Sequence, residues 1–171
     1  LPPEDHTVEG NERMKSAGKA YPHCKIAILD NDSCEVPLGS VGEIAVKSTS
    51  NMVGYWNLPD ETKKTLKDGW LRTGDAGYMD ADGYVYVHDR VKDMIVSGGE
   101  NVYPAEVESA IFGHDCVSDV AVIGIPDDKW GEAVKAIVVL KNGKTSSEEE
   151  IISFAKERIA GFKSPKSVDF I

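Results

Sequence analysis

Gly83-Tyr84-Val85-Tyr86-Val87-His88-Asp89-Arg90-Val91-Lys92-Asp93-Met94-Ile95-Val96-Ser97-Gly98-Gly99-Glu100-Asn101-Val102-Tyr103-Pro104 is where the chain changes character. Upstream of Arg90 the patterns are those of strands. A run over 71–79 and another over 84–88 flank Asp80-Ala81-Asp82-Gly83, a hairpin signature. Downstream, 104–112 carries Val107, Ala110 and Ile111 at helical spacing behind a proline start.

Working outward, 25–29 and 43–47 are short β-type runs separated by turn residues that begin Asp30-Asn31-Asp32-Ser33. Pro59-Asp60-Glu61-Thr62 opens a short helix, with acidic residues where they complement the dipole. Residues 1–22, rich in Pro, Gly and charge, read as a loop-dominated lead-in. Toward the C-terminus, 120–125 and 136–140 are continuous apolar runs, suited to strands covered on a face by helices. Ser147 with Glu150 makes a capping box, and Ile151, Ala155 and Ile159 stripe the helix that follows. The expected fold class is α+β: a mainly β portion over 1–91, then a small α+β module over 92–171.

Composition narrows the function classes. The chain has 171 residues, 19 Lys+Arg against 29 Asp+Glu, and a formal charge of −10. A general nucleic-acid binder needs clustered cations to neutralise phosphates, so that class is disfavoured. Hydrophobic residues at 41% and charged residues at 28% suit a globular core rather than disorder. No apolar run approaches the roughly 20 residues of a membrane span. Cys24, Cys34 and Cys116 show no CxxC spacing, and His6, His23, His88 and His114 show no metal-like spacing. The expectation is a soluble protein of a reducing compartment, the cytoplasm. Leu1 at one end and Asp169-Phe170-Ile171 at the other suggest a piece of something longer.

Several motifs carry chemistry or its imitation. Asn142-Gly143-Lys144-Thr145 sits where a P-loop would, but Val138 occupies the place of the required first glycine, so it reads as a turn. Trp70-Leu71-Arg72-Thr73-Gly74-Asp75 has two readings. Asp75 either ends a strand at a glycine-eased bend or accepts both hydroxyls of a ribose. In 88–95, Arg90 is either a solvated charge or a planar fork for ribose or phosphate oxygens. Lys92 then falls at the junction of the two portions, where hinged proteins absorb backbone rotation. Ser97-Gly98-Gly99-Glu100 is a tight turn, or a place where backbone approaches a ligand with no side chain between.

Taken in order, these motifs and three more resemble one family. Gly54-Tyr55-Trp56-Asn57, Ala105-Glu106-Val107-Glu108 and the segment from Gly124 to Glu132 complete a series that is similar to the adenylate-forming enzymes, and within them to fatty-acyl-CoA synthetases. The resemblance implies activation of a carboxylate with Mg-ATP to an acyl-adenylate, then displacement of AMP by the CoA thiol. It implies that 1–91 is the end of a large domain, chiefly its β-barrel-like subdomain. Residues 92–171 would be most of a small domain that rotates between the half-reactions. Asp75 matches the carboxylate that holds the ATP ribose, and Arg90 the arginine of the ribose and phosphate region. Lys92 matches the hinge, and Ser97, Gly98 and Gly99 the loop lining the pantetheine tunnel. Trp70, beside Asp75, is a lesser nucleotide-site candidate; Trp130-Gly131-Glu132 reads as structural.

The family's phosphate loop and its ATP- and Mg-contacting segment would precede Leu1. Its adenylation lysine would follow Ile171, so Lys163 is not that lysine and no catalytic residue is expected in this chain. The fragment alone is expected to be inactive. The missing large domain, ATP, CoA and a carboxylate are its expected partners, with peripheral membrane contact open. A carrier-protein-loading domain is an alternative, although those domains more often have a Lys-x-Arg-Gly type loop at 97–100. A luciferase-like oxygenase and a non-catalytic interaction module are others.

Overall fold

Asp80 closes the central hairpin through its own side chain, because Oδ1 accepts from the N–H groups of Asp82 and Tyr84, both at 2.9 Å. Around this turn the computed structural model describes residues 1–171, which separate into two compact units, Leu1–Val91 and Lys92–Ile171. The first contains β1 (Gly18–Lys19), β2 (Cys24–Leu29), β3 (Gly42–Ser48), α1 (Pro59–Thr65), β4 (Leu66–Lys67), β5 (Trp70–Met79) and β6 (Tyr84–Arg90). They form a six-stranded antiparallel sheet of order β1-β6-β5-β3-β2, with β4 on β5.

Period-2 alternation gives this sheet an apolar cluster on each face. Ala27, Leu29 and Ala45 pack with Trp70 on one side, and Ile28, Ile44 and Val85 with Ile26, Val36 and Met79 on the other. Bulges between Glu43 and Ala45 and between Ala76 and Gly77 add local twist. Gly77 is required at its bulge, since a Cβ there would stand 2.2 Å from the Tyr86 carbonyl oxygen. The lead-in is pinned through Asp5, which accepts a hydrogen bond from the Tyr84 hydroxyl and an ion pair from Arg13 at 3.1 Å. The Tyr84 bond, with Arg13, holds the Asp5 carboxyl below its ordinary range, although burial opposes the shift. The same bond pushes the Tyr84 phenol up.

The second unit contains β7 (Ile95–Ser97), β8 (Glu100–Val102), α2 (Pro104–Phe112), β9 (Val117–Asp127), β10 (Gly131–Leu140), α3 (Glu148–Lys156) and β11 (Ser167–Phe170). Its five-stranded sheet runs β11-β10-β7-β8, with β9 also on β10, and only the β10–β11 pairing is parallel. Val107 and Ile111 of α2, Ile151 and Ala155 of α3, and Val134, Ala136 and Val138 of β10 fill one core at 0% exposure. Each fully buried Val or Ile there contributes roughly 1.5–3 kcal/mol. Helix carboxylates also finish the sheet: Glu108 accepts from the Val122 N–H at 2.8 Å and Glu148 from the Val168 N–H at 3.0 Å.

Two local expectations change. Ser147 caps α3 by accepting from the Glu150 N–H at 3.2 Å, but Glu150 turns to the Ser146 hydroxyl, at 2.8 Å, instead of reaching back to Ser147. Only half of the capping box forms. The helix also stops at Lys156, so Ile159 joins the core from the turn that follows. Asn142–Thr145 is a turn, closed by the Lys144 N–H on the Lys141 carbonyl at 2.9 Å. No helix is long and apolar enough to cross a membrane.

Candidate functional site

Asp75 and Arg90 are fifteen positions apart in sequence and directly opposed across β5 and β6. Arg90 Nε lies 3.3 Å from Asp75 Oδ1, with the side chains 54% and 34% exposed. An ion pair this accessible to solvent is worth only about 0.2–1 kcal/mol, so it orients more than it stabilises. The second oxygen, Oδ2, accepts no hydrogen bond from the protein, which leaves it open to hydroxyl donors.

The strand presents Asp75 through a chain of side-chain hydrogen bonds. Its N–H donates to Thr73 Oγ1 at 3.1 Å, and that hydroxyl donates to the Ile44 carbonyl at 2.8 Å. Gly74 sits at φ +76° and gives its N–H to Glu43 Oε1 at 3.0 Å, while Glu43 also faces Arg72 at 3.1 Å. A Cβ on Gly74 would stand 3.3 Å from Arg90 Nη2, so glycine also keeps the guanidinium free to lie beside the carboxylate. Trp70 is not brought to this pair. It lies five positions earlier in β5, roughly 16 Å along an extended strand. There it packs on Ala27, Leu29 and Ala45.

Lys92 occupies a 3-10 turn, Val91–Asp93, its ammonium 3.9 Å from Asp93 and its side chain 74% exposed. Ser97, Gly98 and Gly99 belong to the β7–β8 hairpin. Gly98 and Gly99 have φ of +63° and +85°, as a two-residue primed turn requires. The Gly98 N–H donates to the Trp130 carbonyl at 2.8 Å, Ser97 pairs with Gly131, and the Val96 N–H donates to Glu132 at 2.8 Å. A cleft of about 100 Å³ beside the hairpin is lined by Ser97, Gly98, Glu100, Trp130, Phe162 and Lys166.

Trp130 and Glu132, read from sequence as structural, thus support the hairpin tip, and Trp130 also faces the cleft. The available signal was a tryptophan in a polar turn, Asp127-Asp128-Lys129-Trp130-Gly131, a residue that stays 41% exposed. Lys163 is held by both carboxylate oxygens of Glu106, at 2.7 and 2.8 Å. No three His, Cys, Asp or Glu side chains converge, so these residues do not by themselves fit a magnesium site.

Within the first unit, Asp75 carries an unbonded carboxylate oxygen with a guanidinium beside it; within the second, Gly98-Gly99 presents bare backbone at a hairpin tip. Comparison with known proteins gives this a context. Residues 106–171 match the family described as the AMP-binding enzyme C-terminal domain. The whole chain is 46% identical over 171 residues to a fatty acid–[acyl-carrier-protein] ligase, ScoC, of Streptomyces coeruleorubidus, covering 33% of that protein. It is 45% identical over 164 residues to a long-chain-fatty-acid–CoA ligase of Bacillus subtilis, covering 95% of this chain and 29% of the relative. Among solved structures, the o-succinylbenzoate CoA synthetase MenE of Bacillus subtilis in complex with AMP superposes with TM-score 0.87 at 38% identity. That match covers 100% of this chain and 34% of MenE. The chain spans about a third of the length of the relatives it matches.

Proposed function

Since the chain belongs to the adenylate-forming enzymes and its residues 106–171 are their AMP-binding C-terminal domain, we propose that it is the C-terminal portion of an ATP-dependent carboxylate–CoA ligase. The carboxylate oxygen attacks the α-phosphorus of ATP, pyrophosphate leaves, and an acyl-adenylate forms. The CoA thiol then attacks the acyl carbon, AMP leaves with the bonding pair, and the thiol proton passes to solvent.

The observation that carries this reading is the Asp75–Arg90 pair. Oδ1 is engaged by Arg90 at 3.3 Å, Oδ2 is open, and a ribose diol needs an acceptor of that kind. Arg90 orients the carboxylate through Oδ1, and its guanidinium adds positive charge where phosphates would lie. Lys92, between the units, serves as the hinge between half-reactions. The Gly98-Gly99 tip serves as the wall along which pantetheine passes, because bare glycine allows the close approach a thiol-bearing arm needs. ATP and CoA are substrates here. Magnesium, whose chemistry is neutralisation of the phosphates, would be held by residues outside this chain. So would the groups that stabilise charge in adenylation, so the fragment alone is inactive and the cytoplasmic parent carries the activity.

The carrier-protein alternative keeps one specific support, since identities of 46% to a carrier-protein ligase and 45% to a CoA ligase do not separate the acceptors. The loop favours CoA, because Ser97-Gly98-Gly99-Glu100 lacks the basic residues of the loading domains. AMP release from the full reading frame, across acetate, benzoate, octanoate and palmitate, tests both. Release with a fatty acid that CoA strongly raises supports the ligase. Release raised only by a phosphopantetheinylated carrier protein supports the alternative, and no release with any acid overturns both.

A further inference from the structure

The β2–β3 ladder of the first unit opposes two like charges. Lys25 and Lys47 are direct partners, so their side chains leave the same face with Cβ atoms about 4.5–5.5 Å apart. Like charges placed this way destabilise a sheet unless something lies between them. Nothing in the protein does. Arg13, Lys15, Lys64, Arg72 and Arg90 each face a carboxylate, but neither Lys25 nor Lys47 has one within 4.0 Å, and neither ammonium donates to any protein acceptor. This occurs in a chain where 29 acidic residues outnumber 19 basic ones.

The two lysines line a cleft of about 410 Å³. The Lys47 ammonium lies over the Trp70 ring, 5.9 Å from its centroid, and rests against Gly69. A Cβ at that glycine would come within 3.2 Å of Nζ. Glycine at 69 therefore leaves the ammonium seated yet open on its outer side. Ser48 and Thr49 add hydroxyl donors at the end of β3. His23, at φ +73° just before β2, completes the lining.

We propose that this cleft binds a phosphate monoester dianion. Two ammonium point charges with hydroxyls beside them suit a tetrahedral group with several acceptor oxygens and more than one negative charge. The volume exceeds that of the bare anion. Trp70 offers an apolar wall for the group that carries it, which favours a monoester over inorganic phosphate. The proposal is independent of the ATP and CoA reading, since it uses no residue of the Asp75 site or the Gly98 hairpin.

The test uses the 171-residue chain, labelled with nitrogen-15 and titrated with phenyl phosphate at constant ionic strength held with chloride. A parallel arm sediments the chain with phosphatidylcholine vesicles, with and without phosphatidic acid. The expected result is a saturable shift of the Trp70 indole N–H and the Lys47–Thr49 amides. Lys47→Gln and Lys25→Gln should each weaken binding at least ~5-fold, with Lys47→Arg restoring most of it and Lys63→Gln changing nothing. Binding to the soluble ester identifies a free phosphate monoester. Binding only to phosphatidic acid vesicles, with the same lysine dependence, identifies a lipid headgroup. Failure of both arms, a shift that does not saturate, or equal loss in Lys63→Gln overturns the proposal.

Discussion

Gly98→Ala is the substitution whose cost the structure divides into separate contributions. At φ +63° an alanine is strained by roughly 1–2 kcal/mol, because its Cβ crowds the following carbonyl. The new methyl would also stand 2.8 Å from Trp130 Cε3 and 3.2 Å from Cζ3. Overfilling a packed site costs about 1–3 kcal/mol, and the side chain of a residue that is 41% exposed can swing away, so the lower end applies. The expected destabilisation of the second unit is therefore about 2–3 kcal/mol. Gly99→Ala is the internal control, since φ is +85° but nothing lies within 4 Å of its Cβ; it should cost only the strain, about 1–2 kcal/mol. Trp130→Ala should reduce the Gly98→Ala penalty to that of Gly99→Ala, a coupling of about 1 kcal/mol. Urea unfolding followed by methyl resonances of Val134 and Ile151, both fully buried in this unit, supplies the numbers. Equal costs at Gly98 and Gly99, or a Gly98 penalty that survives loss of the indole, would refute the reasoning.

Lys92→Pro fixes φ at the junction, and in the parent enzyme it should abolish thioester formation while much of the adenylation persists. Half-reactions assayed separately check this, and equal loss of both counts against the hinge. Asp75→Asn keeps the shape but weakens acceptance from ribose hydroxyls and unpairs Arg90; nucleotide affinity of the parent should fall about 10-fold with little change in stability, read by calorimetry and thermal melts. Tyr84→Phe removes the bond that lowers the Asp5 pKa and raises that of Tyr84. A depressed carboxyl stabilises above its unfolded value of about 4 and loses that stability as pH falls through its folded value. A raised phenol stabilises below its unfolded value of about 10 and loses that stability as pH rises through its folded value. Urea midpoints of the first unit should therefore differ between wild type and Tyr84→Phe most at neutral pH, with the gap closing toward both extremes. A gap that stays constant from pH 3 to pH 11 would refute it.

The elements legible in the sequence are those specified by neighbouring residues. Asp80-Ala81-Asp82-Gly83 declares its hairpin because Asp80 bonds the N–H groups two and four residues on. Pro59 and Pro104 mark helix starts for a similarly local reason. Helix ends were less legible. The stripe of Ile151, Ala155 and Ile159 continues in period, yet the backbone leaves the helix after Lys156, and Ile159 reaches the core without it. Apolar spacing reports which face is buried and does not report whether the last member is still helical. The capping box failed in half because Ser146, one residue before the cap, offers Glu150 a hydroxyl that competes with the backbone N–H.

Partners set by register are a different matter, and Asp75 shows why. The sequence marks Asp75 and Arg90 as separate candidates but cannot place them opposite each other. Met79, Tyr78 and Gly77 pair with Val85, Tyr86 and Val87, and carried onward that register would set Asp75 against Asp89, two carboxylates face to face. The bulge between Ala76 and Gly77 adds one residue to β6, so Ala76 meets Asp89 and Asp75 meets Arg90. A single extra residue thus turns a repulsive pair into an ion pair with one open carboxylate oxygen. The bulge also has a long-range requirement: Gly77 has no room for a Cβ between the Tyr86 carbonyl and Ile44, and that crowding exists only once β3, β5 and β6 are assembled. The same holds for Lys25 and Lys47, 22 positions apart, whose opposition follows from the β2–β3 register and from no motif. Residue types that do chemistry can be read one at a time along a chain, but the pairings that give them their charge environment belong to the sheet.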